Sequence, residues 1–210
     1  MNLSSYQPPI VAILRGLPPA DAPTIATRLY EAGIRLMEVP LNRPGAVEAI
    51  AAMAGLGFPD LLVGGGTMLT TADVDAVCAA GGRLFVSPHC DPDLIRYARA
   101  AGMLSVPGVA TPSEAFAALR AGAHALKLFP AEALGQAGLR ALRTVLPAGT
   151  LVWPVGGVEP ETLAAWIAAG ADGFGIGSAL YRPGMDGVAA AANAHRFLDA
   201  WRAARPKESA

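Results

Sequence analysis

The chain has 210 residues, 53% of them hydrophobic and 16% charged, and 16 Lys plus Arg against 17 Asp plus Glu leave a net charge of −1. That length suits one domain with one sizeable core, expected over 1–210 with a loose tail after about 202. With no block of like charge a nucleic-acid partner is not expected, and with no apolar run of about 18 residues free of Gly, Pro or charge neither is a membrane span.

In chain order, Met1 to Pro9 lacks a basic flank and an apolar core, so it does not read as a secretory signal and a cytoplasmic location is expected. Short apolar runs of strand type follow at Ile10–Leu14, Arg35–Val39, Asp60–Val63, Arg83–Ser87, Met103–Val106, His124–Phe129, Leu151–Val155 and Gly173–Gly177. Between most of them lie Ala/Leu-rich segments with helical spacing, such as Ala20–Ala32, Pro112–Ala121 and Pro160–Ala169. The alternation predicts βαβ units and a parallel sheet. Helix ends are marked by Gly33, Gly81, Gly102, Gly122 and Gly170, and helix starts by Thr70-Thr71-Ala72-Asp73, Asp91-Pro92 and Thr111-Pro112-Ser113-Glu114. Cys78 and Cys90 show no CxxC spacing and read as two thiols in a reducing compartment. Units of about 25 residues favour a single α/β (β/α)8 TIM barrel, with an open doubly wound sheet as the alternative. The polar residues at the C-terminal ends of many strands favour the barrel.

Lys127 stands inside the apolar run His124-Ala-Leu-Lys-Leu-Phe-Pro130. Period-2 alternation turns Leu126 and Leu128 toward the helices and Ala125, Lys127 and Phe129 inward. An apolar site favours the neutral amine, the form that attacks a carbonyl to make a Schiff base. Glu38 points inward from Arg35-Leu-Met-Glu-Val-Pro40, where it could shuttle protons or simply pair with Lys127. Arg15 closes the first strand and could bind a carboxylate or phosphate, or stand in solvent. Gly64-Gly-Gly-Thr67 follows the third strand, where glycines let backbone come close to a ligand or simply serve a tight βα turn, and Thr67 supplies a hydroxyl. Val155-Gly156-Gly157 and Gly175-Ile-Gly177-Ser178, at the ends of the last two strands, form a phosphate signal. His89, His124 and His195 lack ligand spacing, so no metal is expected. Trp153 reads as barrel filling.

Taken together, these residues resemble the small Schiff-base aldolases that cleave 2-keto-3-deoxy-6-phosphosugars. The matching motifs are Ile13-Leu-Arg-Gly16, Glu38-Val-Pro-Leu-Asn42, Val63-Gly-Gly-Gly-Thr67, Pro107-Gly-Val-Ala-Thr-Pro-Ser-Glu-Ala115, Ala125-Leu-Lys-Leu-Phe-Pro130, Val155-Gly-Gly-Val158 and Gly177-Ser-Ala-Leu-Tyr181. The resemblance implies Lys127 as the Schiff-base lysine and Glu38 as the acid/base. It implies Arg15, Thr67, Val155, Gly156, Gly157, Gly177 and Ser178 as substrate-binding positions, with the last glycines and Ser178 around the phosphate. It also implies a homotrimer, a phosphosugar acid substrate, pyruvate as product and no cofactor. The gluconate branch of that family has an arginine where this chain has Asn42 and a threonine where it has Val155. Both positions look like the galactonate branch, as does Gly177-Ser-Ala-Leu-Tyr-Arg-Pro-Gly184.

The expectation is therefore a class I aldolase splitting 2-dehydro-3-deoxy-6-phosphogalactonate into pyruvate and glyceraldehyde 3-phosphate, in galactonate catabolism. The alternatives are the gluconate-derived aldolase with relaxed C4 specificity, a phosphosugar isomerase or epimerase on the same barrel, and a catalytically dead phosphate-binding barrel. An inward lysine speaks against the isomerase, and the presence of both Lys127 and Glu38 against the dead barrel.

Overall fold

Strand and helix alternate in the computed structural model, which describes residues 3–204. The order is β1 (Ile10–Ile13), α1 (Ala22–Ala32), β2 (Leu36–Pro40), α2 (Ala46–Ala54), β3 (Leu62–Gly66), α3 (Thr71–Ala79), β4 (Leu84–Val86), α4 (Pro92–Ala100), β5 (Leu104–Val106) and β6 (Gly108–Val109). It continues with α5 (Pro112–Arg120), β7 (Leu126–Leu128), α6 (Ala131–Arg143), β8 (Val152–Pro154), α7 (Leu163–Ala168), β9 (Phe174–Ile176) and α8 (Gly187–Ala204). Every strand pairing is parallel. Six strands form one sheet in the order β5-β4-β3-β2-β1-β9, a half-barrel, and β6-β7-β8 form a second. Pro107 divides what would be one strand into β5 and β6, because proline has no N–H for the ladder.

Backbone contacts cross both joins between the sheets. His124 N–H donates to the Ser105 carbonyl (2.9 Å) and Lys127 N–H to that of Pro107 (2.9 Å). On the other side Val155 bridges Gly175 in parallel.

The strands are buried on both faces, which is why they read as continuous apolar runs. Alternation divides their side chains between two cores. Ala12, Met37, Val39, Leu126 and Leu128 pack with the helices, whereas Val11, Leu36, Leu62, Leu84, Leu104, Ala125 and Trp153 form a second cluster on the opposite face of the strands. Leu3, from the N-terminal turn Leu3–Ser5, joins that inner cluster.

The helix signals fold as the sequence indicates. Thr70 with Asp73 and Thr111 with Glu114 form capping boxes, and the Asp91 carboxylate accepts from Asp93 and Leu94 N–H. The five helix-ending glycines all have positive φ. The segment expected as one helix over Pro160–Ala169 is a 3-10 turn, Pro160–Thr162, leading into α7. Of the expected tail, Arg202 to Ala204 still belong to α8, and 205–210 lie outside the described residues. No helix among the described residues is long and apolar enough to cross a membrane.

One expectation is corrected. Gly64, Gly65 and Gly66 do not follow the third strand; they are the last three of its five residues. Crowding explains their identity. A Cβ on Gly64 would lie 1.9 Å from the Leu84 carbonyl oxygen, and one on Gly66 would lie 1.7 Å from Glu38 Oε2. Side-chain-free backbone here leaves room for a carboxylate on the neighbouring strand.

Candidate active site

β7 and β2 deliver the two central groups. Lys127 on β7 is 7% exposed and Glu38 on β2 is 2% exposed. Both border a small cavity inside the strands together with Val11, Ile13, Val155 and Gly175. None of the ion pairs among the described residues includes either group, and Glu38 Oε2 has no hydrogen-bond partner. Burial therefore governs their protonation. It raises the Glu38 carboxyl from its ordinary range to about 7, against the opposing pull of the Lys127 and Arg15 cations. Burial also lowers the Lys127 amine; Glu38 opposes this and Arg15 reinforces it. The Lys127 Nζ lies 4.8 Å from the centroid of the Phe129 ring.

Above this pair opens a cavity of about 280 Å³, bordered by Arg15, Phe129, Gly156, Gly157, Gly177, Ser178, Tyr181 and Arg182. Ile13, Val155 and Gly175 border both cavities, so the two adjoin one another. Arg15 Nη1 donates to Asn42 Oδ1 at 2.8 Å, tying the end of β1 to the segment after β2. Gly156 and Gly157 hold φ of 112° and 63°, which fold the chain sharply after β8. A Cβ on Gly156 would lie 1.8 Å from Glu132 Oε2, so the first turn of α6 packs on this loop. After β9 the chain turns at Gly177, whose carbonyl accepts from Leu180 and Tyr181 N–H. Within that turn Arg182 Nε donates to the Ser178 carbonyl at 2.9 Å.

The structure thus brings Lys127, Glu38, Arg15, Val155, Gly156, Gly157, Gly177 and Ser178 to two adjoining cavities, with Val155 bordering both. Thr67 stands apart from them. It follows β3 with φ 52°, the one non-glycine positive φ among the described residues, and it borders neither cavity. Sequence reasoning gave no site role to Arg182 and passed over Glu132. For Arg182 a signal existed: a position four residues after Ser178 lies over it in a helical turn. Glu132 had none, because its contact with Gly156 depends on how α6 meets β8.

A buried lysine and carboxylate inside a layer of parallel strands, below a glycine-lined recess, define an enzyme-type site. The model for the family "KDPG and KHG aldolase" matches residues 4–188, and the chain belongs to that family. A "probable 2-dehydro-3-deoxy-6-phosphogalactonate aldolase" of Rhizobium meliloti (strain 1021) is 45% identical over 87% of this chain and 86% of its own. A solved structure described as "native KDPGal" superposes with a TM-score of 0.92 at 43% identity, covering 94% of this chain and 96% of that one. A KDPG aldolase from Legionella pneumophila, with pyruvate captured at low pH as a covalent carbinolamine, superposes with a TM-score of 0.77 at 27% identity, covering 94% of each chain.

Proposed function

We propose that this protein is a class I aldolase that cleaves 2-dehydro-3-deoxy-6-phosphogalactonate to pyruvate and glyceraldehyde 3-phosphate. The observation that carries the reading is the buried lysine beside a buried carboxyl held near neutrality. The neutral Lys127 amine attacks the C2 carbonyl, and Glu38 delivers a proton to the departing carbinolamine oxygen. The resulting iminium draws electrons as the C3–C4 bond breaks, while Glu38 accepts the C4 hydroxyl proton. Glyceraldehyde 3-phosphate leaves. Protonation of the enamine at C3 and hydrolysis of the iminium then release pyruvate and return the amine. A carboxyl that titrates near pH 7 both donates and accepts in this cycle with little free-energy cost.

Arg15, steadied by Asn42, binds the C1 carboxylate near the reacting carbon. The phosphate at the far end of the substrate rests on the turns at Gly156-Gly157 and Gly177-Ser178, with the Arg182 guanidinium beside it. Val155 borders the passage between the two ends and offers no hydroxyl to select the gluco configuration at C4. The two sheets are read as arcs of one closed (β/α)8 barrel, supported by the backbone contacts at both joins. The whole chain is read as one domain, and the resemblance adds a homotrimer, which sedimentation tests.

Borohydride added to enzyme and pyruvate should fix one adduct on the peptide containing Lys127. Labelling of Lys127→Ala as strong as wild type overturns the assignment. Steady-state kinetics on both C4 epimers then test the substrate. A preference for the gluco epimer removes the galactonate assignment and leaves the aldolase.

A further inference from the structure

Trp153 borders two cavities. On one side it borders the inner space that holds Lys127 and Glu38. On the other it borders a cavity of about 170 Å³ at the N-terminal ends of the strands, with Leu3, Gln7, Leu151, Asp172 and Trp201. It is the residue common to the two linings. Gln7 is exposed, so the lower cavity communicates with solvent. Trp153 itself is 1% exposed, and it lies opposite Lys127 in the register between β7 and β8.

The indole is held there at a cost. Its Nε1–H is buried without an acceptor, a condition natural proteins rarely leave in place without reason. A phenylalanine would fill much of the space with no orphan donor. Gly173 admits the larger ring, since a Cβ there would lie 2.7 Å from Trp153 Nε1. The extra width of the indole is therefore accommodated by the backbone and not required by hydrogen bonding.

We infer that Trp153 is a positioning residue whose indole is the partition keeping solvent in the lower cavity away from the Lys127 amine. This rests on the reading of Lys127 as the imine-forming group. A dry surrounding keeps that amine below its ordinary range and neutral for attack. The charged groups that face it are Glu38 from β2 and Arg15 after β1, and substitution at Trp153 alters neither. Water admitted from below restores solvation of the ammonium, so the amine is neutral only at higher pH.

The test is the pH dependence of borohydride trapping with pyruvate. In Trp153→Ala the midpoint should move up by about one pH unit, which slows trapping at neutral pH roughly tenfold. Trp153→Phe, which keeps a ring beside Lys127, should move it in the same direction by less. Folded variants whose midpoints coincide with wild type overturn the partition. Where Trp153→Ala does not fold, the indole N–H of Trp153 in the wild-type enzyme gives the answer, assigned by its loss in Trp153→Phe. It should exchange slowly with solvent, and fast exchange overturns the proposal. If wild type traps no pyruvate on Lys127, the functional reading fails instead, and the two failures are distinct.

Discussion

The two ends of the strand layer treat polar groups in opposite ways. At the N-terminal ends the charges are saturated. Arg35 donates to Asp60, at 2.7 Å, and to the Tyr30 and Ile34 carbonyls. Arg143 donates to the Gly170 and Thr150 carbonyls and pairs with Asp172, whose carboxylate also accepts from Val152 N–H. His124 Nδ1 accepts from Ser105 N–H, and burial with the Arg99 charge pushes its imidazole down to about 4. At the C-terminal ends Lys127 and Glu38 are buried outside any ion pair, and Arg15 holds an amide in place of an acid. One end spends its polar groups on the fold, and the other buries its lysine and carboxyl outside any ion pair among the described residues.

The largest effect that would break this contrast is at Glu38. Glu38→Gln should slow turnover by roughly 10²–10⁴-fold, the range for a lost acid/base. It should also change stability in a pH-dependent way. The folded carboxyl titrates near 7, above its unfolded value, so between those two points the native state binds more protons and stability falls as pH rises. Below the unfolded value the penalty vanishes, and above 7 it is full. At pH 8 the uncharged variant should therefore be more stable than wild type, by on the order of 1–3 kcal/mol, and at pH 4 no more stable. Thermal melts at the two values decide it. Equal melting differences at both would make the Glu38 site structural.

At the other end the same logic reverses. Arg143→Ala removes four donor contacts, to the carbonyls of Gly170 and Thr150 and to Asp172. The acceptors left behind are part-buried, so the fold should lose roughly 2–3 kcal/mol, about 5–10 °C in Tm. The kcat of the folded variant should stay near wild type. A large drop in kcat at temperatures where it is folded would show that the two ends are not independent.

The strands, the phase of their side chains and the inward course of Lys127 and Glu38 were legible because alternation of apolar residues is a local property. Gly64-Gly65-Gly66 departs from expectation for the opposite reason. A glycine run carries no local sign that a strand continues through it, and the need for glycine at Gly66 comes from a carboxylate 28 positions earlier in the chain. The Arg15–Asn42 contact spans 27 positions and has no sequence signature. Trp153 does fill the inner cluster, as its sequence context indicates. That it fills the gap between two cavities is visible only once both are closed around it.

The smallest effect concerns the other unpartnered side chains. Among the described residues three buried polar side-chain atoms lack a partner: Glu38 Oε2, Trp153 Nε1 and Ser105 Oγ. The first two face the inner space, whereas Ser105 lies between Leu104 and Val106, which point inward, and so faces out toward the helices. Its backbone is engaged with His124 through both N–H and carbonyl, so the strand contact does not depend on the hydroxyl. Ser105→Ala deletes only an oxygen that was desolvated without return. The gain from removing it, offset by the small void it leaves, should come to about 0.5–1 kcal/mol, or roughly 1–4 °C in Tm, with kcat and KM unchanged. A loss of stability would mean that the hydroxyl is satisfied in solution. A change in kcat would mean that the outer face of β5 reaches the site, and orphaned polar atoms would then no longer separate by the side of the strands they face.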